Sequence, residues 1–266
     1  VEFEKNFPTR YFDVGIAEQH ALTLAGGLSC GGLKPVVAIY STFLQRAYDQ
    51  LIHDIMIQDL DILLAIDRAG IVGADGETHQ GIYDISYLRV LPNIVLMTPS
   101  NEQDMWKMLS TGLNYKGIGA VRYPRGYSNG LDLDLSNESL TIGKGKIVLQ
   151  GKSIAYLVFG TLLNTVLDTA MKNGATVVDM RFVKPLDHEL IDNLVQNYTK
   201  LVTLEDHTAV GGSGSAVNEY LSQKKILKPI LNLGLKDVFP PHGSRNEILT
   251  LNGLDVDGLK KQISKF

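Results

Sequence analysis

The sequence predicts an α/β protein of two domains, each a mainly parallel sheet flanked by helices. Short apolar runs of strand length alternate with longer runs of helical spacing, which is typical of parallel sheets covered by helices. This alternation occurs twice, and a polar stretch without a pattern separates the two occurrences. We therefore expect one domain at residues 1–130, a linker at 131–142 and a second domain at 143–266.

Composition excludes several classes of protein. The net charge of -4 gives no indication of a nucleic-acid partner, and polar residues interrupt the most hydrophobic region, so no membrane span is expected. Cys30 is the single cysteine, which rules out a disulfide within the chain and makes the cytoplasm the expected location. Because the chain starts at Val1 without a signal-peptide pattern, we expect a piece of a longer protein.

The first predicted helix carries a carboxylate at its start. Small and apolar residues recur at helical spacing from residue 17 to residue 28, and the run closes on the pair Gly31-Gly32. This spacing places Glu18 on the first helical turn. A first-turn acid is also what the helix dipole favours on any solvated helix, so Glu18 alone does not identify a site.

Two aromatic residues lie at the exit of the first predicted strand. The run at 36–39 has the pattern of a short buried strand, and Tyr40 and Phe43 follow it. We expect Ser41 or Thr42 to cap the next helix. Two interpretations are open: the rings are ordinary residues of the hydrophobic core, or they form a binding surface beside Glu18.

The first half continues with further strands and helices. Predicted strands lie at 62–66, 94–97 and 118–122, and predicted helices at 44–57 and 102–114, the latter after the cap signal at 99–101. Ligands in such folds bind at the carboxyl ends of the strands. The residues that follow each strand are therefore the candidates for function.

Two polar segments follow predicted strands of the first half. Residues 67–81, DRAGIVGADGETHQG, are too rich in glycine for a helix and too polar for a buried strand. A loop of this length is usually functional or disordered. In RYPRG, Pro124 and Gly126 force a turn that leaves Arg122 and Arg125 as two neighbouring cations.

The cations of these two segments suit a phosphate. Arg68, His79 and Arg125 are expected to converge on one anion, because guanidinium groups match the oxygens of a phosphate. The alternative is that Arg68 pairs with Asp67 or Asp75 and that Arg125 pairs with a surface acid. The sequence leaves both possibilities open.

The second half repeats the alternation. Predicted strands lie at 154–159, 175–179, 201–205 and 230–233, and predicted helices lie at 162–172 and 187–195. GGSGS at 211–215 lacks the third glycine of a dinucleotide fingerprint, so we expect a tight turn before a helix. We interpret Glu205, Asp206 and His207 as solvated charges on a loop, in preference to an acid–base cluster. No metal-binding spacing occurs among the six histidines.

Ordered strings of the chain resemble a known family. GIAEQH followed by AIYSTFLQRAYDQ resembles the pyrimidine-binding domain of thiamin-diphosphate enzymes of the transketolase group. DRAGIVGADGETHQG and AVRYPRG resemble, in the same order, strings of the 1-deoxy-D-xylulose 5-phosphate synthase family within that group. The matches span about residues 10–126. MRFVKPLD and LEDHTAVGGSG resemble the C-terminal domain of the transketolase group, for which the resemblance implies packing and dimer formation more than chemistry.

The resemblance implies roles for residues around the cofactor. Glu18 would bond the pyrimidine nitrogen of thiamin diphosphate and favour its imino tautomer, which makes Glu18 a catalytic and cofactor-binding residue. Tyr40 and Phe43 would stack against the pyrimidine, with Arg46 also at the cofactor. His79 is the second residue assigned a catalytic role.

The resemblance also implies a reaction and its substrates. Pyruvate would lose carbon dioxide, and the remaining two-carbon unit would join glyceraldehyde 3-phosphate to give 1-deoxy-D-xylulose 5-phosphate for isoprenoid, thiamin and pyridoxal biosynthesis. Arg68, Arg125 and Tyr40 would hold the phosphate of the aldehyde. Asp75 would order the glycine-rich loop.

One part of the family pattern is missing from this sequence. The diphosphate end of the cofactor is held in the family through Mg²⁺ by a GDG motif with a downstream Asn, on a domain that precedes these two. GADGE at 73–77 lacks that order of residues. We therefore expect the Mg²⁺ ligands on a missing N-terminal domain, in cis or on a separate chain. We also expect a homodimer, and an isolated chain that is inert or nearly so.

Three alternatives share parts of this pattern. The beta subunit of a 2-oxoacid dehydrogenase and a subunit of a split transketolase join the same two domains and leave the Mg²⁺ motif to a partner. The DRAG, GADG, THQG and RYPRG strings favour a sugar-phosphate substrate over the dehydrogenase. A non-catalytic dimerisation module is the third alternative, and the presence of Glu18, both aromatic residues and the arginines together argues against it.

Overall fold

A computed structural model describes residues 2–126, 130 and 133–266. Val1, at the start of the predicted first domain, and Leu131 and Asp132, at the start of the predicted linker, lie outside the described residues. So do residues 127–129, near the end of the predicted first domain. The described part contains two five-stranded sheets flanked by helices, so the predicted fold class is confirmed.

The strands are numbered in chain order. They are β1 Val36–Tyr40, β2 Ile62–Asp67, β3 Val95–Met97, β4 Ile118–Arg122, β5 Lys146–Leu149, β6 Ala155–Phe159, β7 Thr176–Asp179, β8 Phe182–Lys184, β9 Leu201–Thr208 and β10 Ile230–Leu235. The first sheet has the order β1-β2-β4-β3-β8, and the second has the order β10-β9-β6-β7-β5. Within each sheet, one edge strand is antiparallel, namely β8 in the first and β5 in the second.

The α-helices are also numbered in chain order. They are α1 Glu2–Asn6, α2 Glu18–Cys30, α3 Ser41–Leu44, α4 Tyr48–Gln50, α5 Asp84–Leu88, α6 Glu102–Asn114, α7 Leu163–Asn173, α8 His188–Asn197, α9 Ser213–Gln223, α10 Arg245–Asn252 and α11 Val256–Lys265. Short 3-10 turns lie at Pro8–Arg10, Gln45–Ala47, Gly73–Asp75 and Glu77–His79, and a π-helical segment lies at Leu51–Met56.

The helix predicted at 44–57 is a composite of shorter pieces. It starts earlier, at Ser41, and changes from α-helix to 3-10, back to α-helix and then to π-helix before it ends at Met56. The expected side-chain cap is wrong. Tyr40 occupies the cap position without a side-chain bond, and Thr42 Oγ1 instead donates to the carbonyl of Thr78 at 3.0 Å. Thr42 thereby links the helix to the glycine-rich loop.

Helix α6 begins and ends where the sequence predicts. Asn101 caps it, because its side chain accepts a hydrogen bond from the backbone N–H of Asp104 at 2.9 Å. The helix packs closely on the sheet at Gly112, where an added Cβ would lie 2.5 Å from Leu63 Cδ1. Only glycine permits this approach.

The two halves of the chain share a sheet. Strand β8 belongs to the second half by sequence, yet it pairs antiparallel with β3 of the first sheet, with Met97 opposite Phe182. Lys184 extends the contact, since its Nζ donates to the carbonyls of Arg89 at 2.9 Å and Leu91 at 2.6 Å. The sequence did not predict this strand, which has only three residues.

Strand β9 is longer than predicted, and this corrects the interpretation of its charged end. The strand continues to Thr208, so Glu205, Asp206 and His207 are buried strand residues and not solvated loop residues. Burial of charged groups requires partners. Those partners lie partly in the first half of the chain.

No helix in the described part of the chain has both the length and the apolar character needed to cross a lipid bilayer.

Candidate active site

The candidate site lies at the carboxyl ends of β1, β2 and β4. Parallel pairing puts Tyr40 at the end of β1 opposite Asp67 at the end of β2, and Ile66 of β2 opposite Arg122 of β4. The glycine-rich loop and the RYPRG turn leave from these strand ends. This is the edge at which α/β sheets bind ligands.

Glu18 lies on the first turn of α2, as predicted from the sequence. Its side chain is only 11% exposed, and Arg46 Nη1 lies 3.9 Å from its Oε1. Within the part of the chain that the structure describes, the Glu18 carboxylate accepts no hydrogen bond. A largely buried carboxylate without a donor is costly, so the side chain suits a ligand that brings its own hydrogen-bonding group.

Three rings form a continuous surface above the end of β1. Tyr40 and Phe43 stack with their ring centroids 5.3 Å apart and their planes 15° apart. The His79 imidazole meets Phe43 edge-on, with centroids 5.3 Å apart and planes at 71°. Arg46 lies over the Phe43 ring, with its Cζ 5.7 Å from the ring centroid. This surface can stack against a flat heterocycle.

Two arginines share one carboxylate beside these rings. Arg68 Nε lies 3.2 Å from Asp75 Oδ2, and Arg125 Nη1 lies 2.5 Å from Asp75 Oδ1. Arg68 also pairs with Asp67 at 2.8 Å and lies over the Tyr40 ring, with its Cζ 3.8 Å from the ring centroid. The alternative pairing for Arg68 is therefore present, with both acids at once. Both guanidinium groups contact the same carboxylate, one through each of its oxygens, and this contact keeps the two arginines close together.

The neck of the glycine-rich loop is closed by its own backbone. Gly70 and Gly81 exchange N–H···O hydrogen bonds of 2.6 and 2.9 Å, which form an isolated antiparallel bridge. Gln80 folds back inside, and its Oε1 accepts from the N–H of Val72 at 3.1 Å. The loop that carries Asp75 and His79 is thus held by hydrogen bonds at its neck and from within.

Arg122 does not belong to the anion site, although the sequence places it beside Arg125. It is buried and pairs through Nε with Asp84 and through Nη1 with Asp206, both at 2.8 Å. Burial lowers the pKa of Arg122, but the two carboxylates outweigh burial and raise it overall. The sequence contains a signal for these ion pairs, because an arginine at the end of a buried strand needs counter-ions. The sequence did not identify which acids supply them.

The remaining charged residues of β9 are held by helix α9 and helix α5. Glu205 accepts hydrogen bonds from the N–H groups of Ser213 at 2.6 Å and Gly214 at 2.9 Å, so the glycine-rich turn before α9 cradles a carboxylate of the same chain. Burial raises the pKa of Glu205 to about 7. Burial also lowers the pKa of His207 to about 4, and Ser86 N–H donates to its Nε2 at 3.4 Å.

The described residues contain no group of three or more His, Cys, Asp or Glu side chains placed to hold a metal ion. What the site offers is a nearly buried carboxylate, a stacked aromatic surface and a paired guanidinium site. Tyr40 is part of the aromatic surface and also contacts Arg68 of the guanidinium pair. A planar cofactor and an anionic substrate could therefore lie against neighbouring parts of one surface.

Two family descriptions match the chain. Residues 1–129 match "Transketolase, pyrimidine binding domain" and residues 143–259 match "Transketolase, C-terminal domain". Curated relatives from Proteus mirabilis and Psychromonas ingrahamii, both named 1-deoxy-D-xylulose-5-phosphate synthase, are 58% and 55% identical over 100% of this chain. The chain spans 43% of the length of each of these relatives.

Two solved structures share the arrangement of both sheets. One is described as "Split gene transketolase, inactive beta4 tetramer"; it has a TM-score of 0.87 and 29% identity, over 99% of this chain and 86% of that chain. The other is a transketolase from Campylobacter jejuni with a TM-score of 0.74 and 16% identity, over 96% of this chain and 39% of that chain. The second shows a common fold only.

Proposed function

Since this chain belongs to the 1-deoxy-D-xylulose 5-phosphate synthase family of transketolase-like, thiamin-diphosphate-dependent transferases, we propose that it forms the pyrimidine-binding and C-terminal part of such a synthase. The proposed reaction joins the two-carbon unit left by decarboxylation of pyruvate to glyceraldehyde 3-phosphate. Its product would be 1-deoxy-D-xylulose 5-phosphate, a precursor for isoprenoids, thiamin and pyridoxal. One observation carries the proposal: a series of contacts connects the Glu18 carboxylate through Arg46 to the stacked rings, and the Tyr40 ring to Arg68 of the arginine pair.

Glu18 and the rings fit the pyrimidine half of thiamin diphosphate. When bound, this cofactor supplies a carbon nucleophile, which its own aminopyrimidine generates by removing a proton. Glu18 lacks a hydrogen-bond donor among the described residues, and a protonated pyrimidine nitrogen provides one. Glu18 would hold that proton at the nitrogen, while Tyr40 and Phe43 exclude water from one face of the ring.

Arg68, Arg125 and Asp75 fit the phosphate of the aldehyde substrate. The guanidinium of Arg68 is oriented by its contact with the Tyr40 ring and by Asp67, so its donors are fixed before a ligand arrives. Asp75 keeps Arg68 and Arg125 side by side. A phosphate approaching the pair gains two oriented, charge-assisted donors.

The contacts of His79 support a role as the proton donor to the aldehyde oxygen. Its ring contacts Phe43 on the cofactor side, and its Nδ1 lies 3.0 Å from Thr78 Oγ1 on the loop side. The imidazole thus stands between the proposed cofactor surface and the loop that carries Asp75. We assign it to proton transfer at the new hydroxyl group.

The diphosphate end of the cofactor and its Mg²⁺ are assigned to a domain outside this chain. The structural neighbour described as a split gene transketolase supports a separate chain as one arrangement, and a single longer chain is the other. A homodimer of the complete enzyme is part of this proposal. The isolated chain should therefore not form a complete cofactor site, and it should be inactive or nearly so.

The test compares the isolated chain with the chain supplied with a diphosphate-binding domain of the family, fused or as a separate protein. Both are given thiamin diphosphate, Mg²⁺, pyruvate and glyceraldehyde 3-phosphate, and carbon dioxide release and 1-deoxy-D-xylulose 5-phosphate are measured. We expect product only when the domain is present. Robust turnover by the isolated chain would show a metal site within it.

The same assay separates the proposal from its alternatives. A complete enzyme that uses a ketose phosphate donor and not pyruvate would be a split transketolase. One that passes the two-carbon unit to a lipoyl carrier, and not to glyceraldehyde 3-phosphate, would be a 2-oxoacid dehydrogenase. A complete assembly that fails to bind a pyrimidine analogue would support the non-catalytic module.

A further inference from the structure

A buried ion network joins the two halves of the chain directly beneath the glycine-rich loop. Arg122 ends β4, three residues before Arg125, and its side chain is 3% exposed. Asp84, at the start of α5, belongs to the first half, and Asp206, in β9, belongs to the second. Arg122 contacts both carboxylates at 2.8 Å, so its charge is shared between the halves.

This network touches both sides of the neck of the loop. Arg122 Nη2 donates to the carbonyl of Gly81 at 3.4 Å. On the opposite side the carboxylate of Asp206 packs against Gly70, where an added Cβ would lie 2.6 Å from Asp206 Oδ2. The Gly70–Gly81 bridge therefore rests on the Arg122–Asp206 pair.

The second half also supports the tip of the loop. His242 Nε2 donates to the carbonyl of Ala74 at 3.3 Å, and a Cβ on Gly73 would lie 2.9 Å from the backbone nitrogen of Arg245. Gly73 and Ala74 immediately precede Asp75. The residue that pairs Arg68 with Arg125 is therefore held from below by the second half.

A chain of hydrogen bonds connects the tip to the neck. Arg245 Nη2 donates to Thr161 Oγ1 at 3.0 Å, and Thr161 Oγ1 donates to Asp206 Oδ2 at 3.2 Å. Asp206 thus has one oxygen on Arg122 and the other on Thr161. Burial raises the pKa of Asp206, but Arg122 outweighs it and keeps the pKa below its ordinary value, so the group is a carboxylate.

We propose that Asp206, a residue of the C-terminal domain, is a positioning residue for the substrate phosphate. Through Arg122 and the neck at Gly70 and Gly81, it fixes the loop so that Asp75 aligns the two phosphate-binding arginines. This inference rests on the proposed function and extends it, because it gives the C-terminal domain a part in recognising the phosphorylated aldehyde.

The test uses Asp206→Asn in the complete enzyme, with the diphosphate-binding domain present. Asparagine keeps the size of the side chain and removes its charge, which leaves Arg122 with one carboxylate. The matched control is Asp104→Asn. Asp104 is also a buried carboxylate paired across the two halves, with Arg181 Nη2 at 2.9 Å, but it lies away from the loop.

Two readouts distinguish positioning from general stability. Hydrogen exchange of the amides at 70–81 should be at least about 10-fold faster in Asp206→Asn than in the unchanged enzyme, and unaffected in Asp104→Asn. The KM for glyceraldehyde 3-phosphate should rise about 10-fold or more in Asp206→Asn. Carbon dioxide release from pyruvate and the use of unphosphorylated glyceraldehyde should not change.

Thr161→Val provides a second variant that leaves the Arg122 pair intact. It should shift exchange and KM in the same direction by a smaller factor. Equal exchange in Asp206→Asn and the unchanged enzyme, or equal effects of Asp206→Asn and Asp104→Asn, would overturn the inference. If the complete enzyme makes no 1-deoxy-D-xylulose 5-phosphate, the proposed function fails. The positioning role is then still tested by hydrogen exchange of the amides at 70–81 in the presence of inorganic phosphate, compared between Asp206→Asn and the unchanged protein.

Discussion

At the scale of single residues, the predicted site divides into parts that the sequence located well and parts that it did not. Glu18, Tyr40, Phe43 and Arg68 follow helix starts or strand ends, and such positions can be read from periodicity. Parallel pairing of β1 and β2 brings Tyr40 and Arg68 to the same edge of the sheet. Asp75 could be placed on a loop, but its bridge between two arginines depends on the folded path of that loop.

The buried charges of β9 were misread for a physical reason. A run of three ionisable residues normally indicates solvent, because burying a charge is costly. Here Arg122 and the N–H groups at the start of α9 compensate Asp206 and Glu205. Arg122 is 84 residues from Asp206, whereas the two N–H groups are 8 and 9 residues from Glu205, so only the tertiary fold reveals the more distant partner.

Glu18→Gln tests the carboxylate at the pyrimidine. Glutamine keeps the size of the side chain but cannot hold the shared proton, so kcat of the complete enzyme should fall by about 10²-fold or more. Steady-state turnover and the thermal midpoint are the measurements. Glu189→Gln, an exposed change on α8, serves as the control and should leave kcat unaltered. Undiminished turnover in Glu18→Gln would remove Glu18 from the mechanism.

At the scale of elements, agreement was best where local signals were strong. Helix α6 has a cap residue and a clear amphipathic pattern, and its bounds match the prediction. The helix after β1 mixes α, 3-10 and π hydrogen-bonding patterns, and a single helical period in the sequence cannot predict such a mixture. Strand β8 was missed because three residues carry too little pattern to predict a partner in another sheet.

Asn101→Ala tests the cap of α6. Loss of the bond to the Asp104 N–H should lower the free energy of unfolding by about 1 kcal/mol. Urea unfolding measures it. Asn193→Ala, at an exposed position inside α8, should be neutral or slightly stabilising because alanine is the better helix former. Equal effects of the two changes would contradict the capping role.

At the scale of the whole molecule, a second polar contact between the halves makes stability depend on pH. Ser100 Oγ donates to Asp179 Oδ2 at 2.6 Å, and Asp104 lies beside them. Burial, together with the charge of Asp104, raises the pKa of Asp179 to about 7. Between about pH 4 and pH 7 the folded protein thus holds a proton that the unfolded chain has released, and its stability declines as pH rises.

Asp179→Asn should remove this part of the decline. We expect the free energy of unfolding of the variant, relative to that of the unchanged protein, to be higher at pH 8 than at pH 5. Urea unfolding of both proteins at both pH values measures this difference. Asp134→Asn is the control. Hydrogen bonds from Ser136 lower the pKa of Asp134, so its titration lies below this range and its effect should be equal at both pH values. The prediction fails if the two variants show the same pH profile.

Strand β8 has a consequence for how this protein can be divided. A break in the chain between residues 133 and 142 would leave β3 paired only with β4, so the amino-terminal piece would expose the other edge of β3 as an unpaired sheet edge that invites aggregation. The carboxyl-terminal piece would carry an orphan strand with no sheet to join. The two halves are therefore not interchangeable modules, and an exchange of either half between relatives must preserve the fit of this one strand.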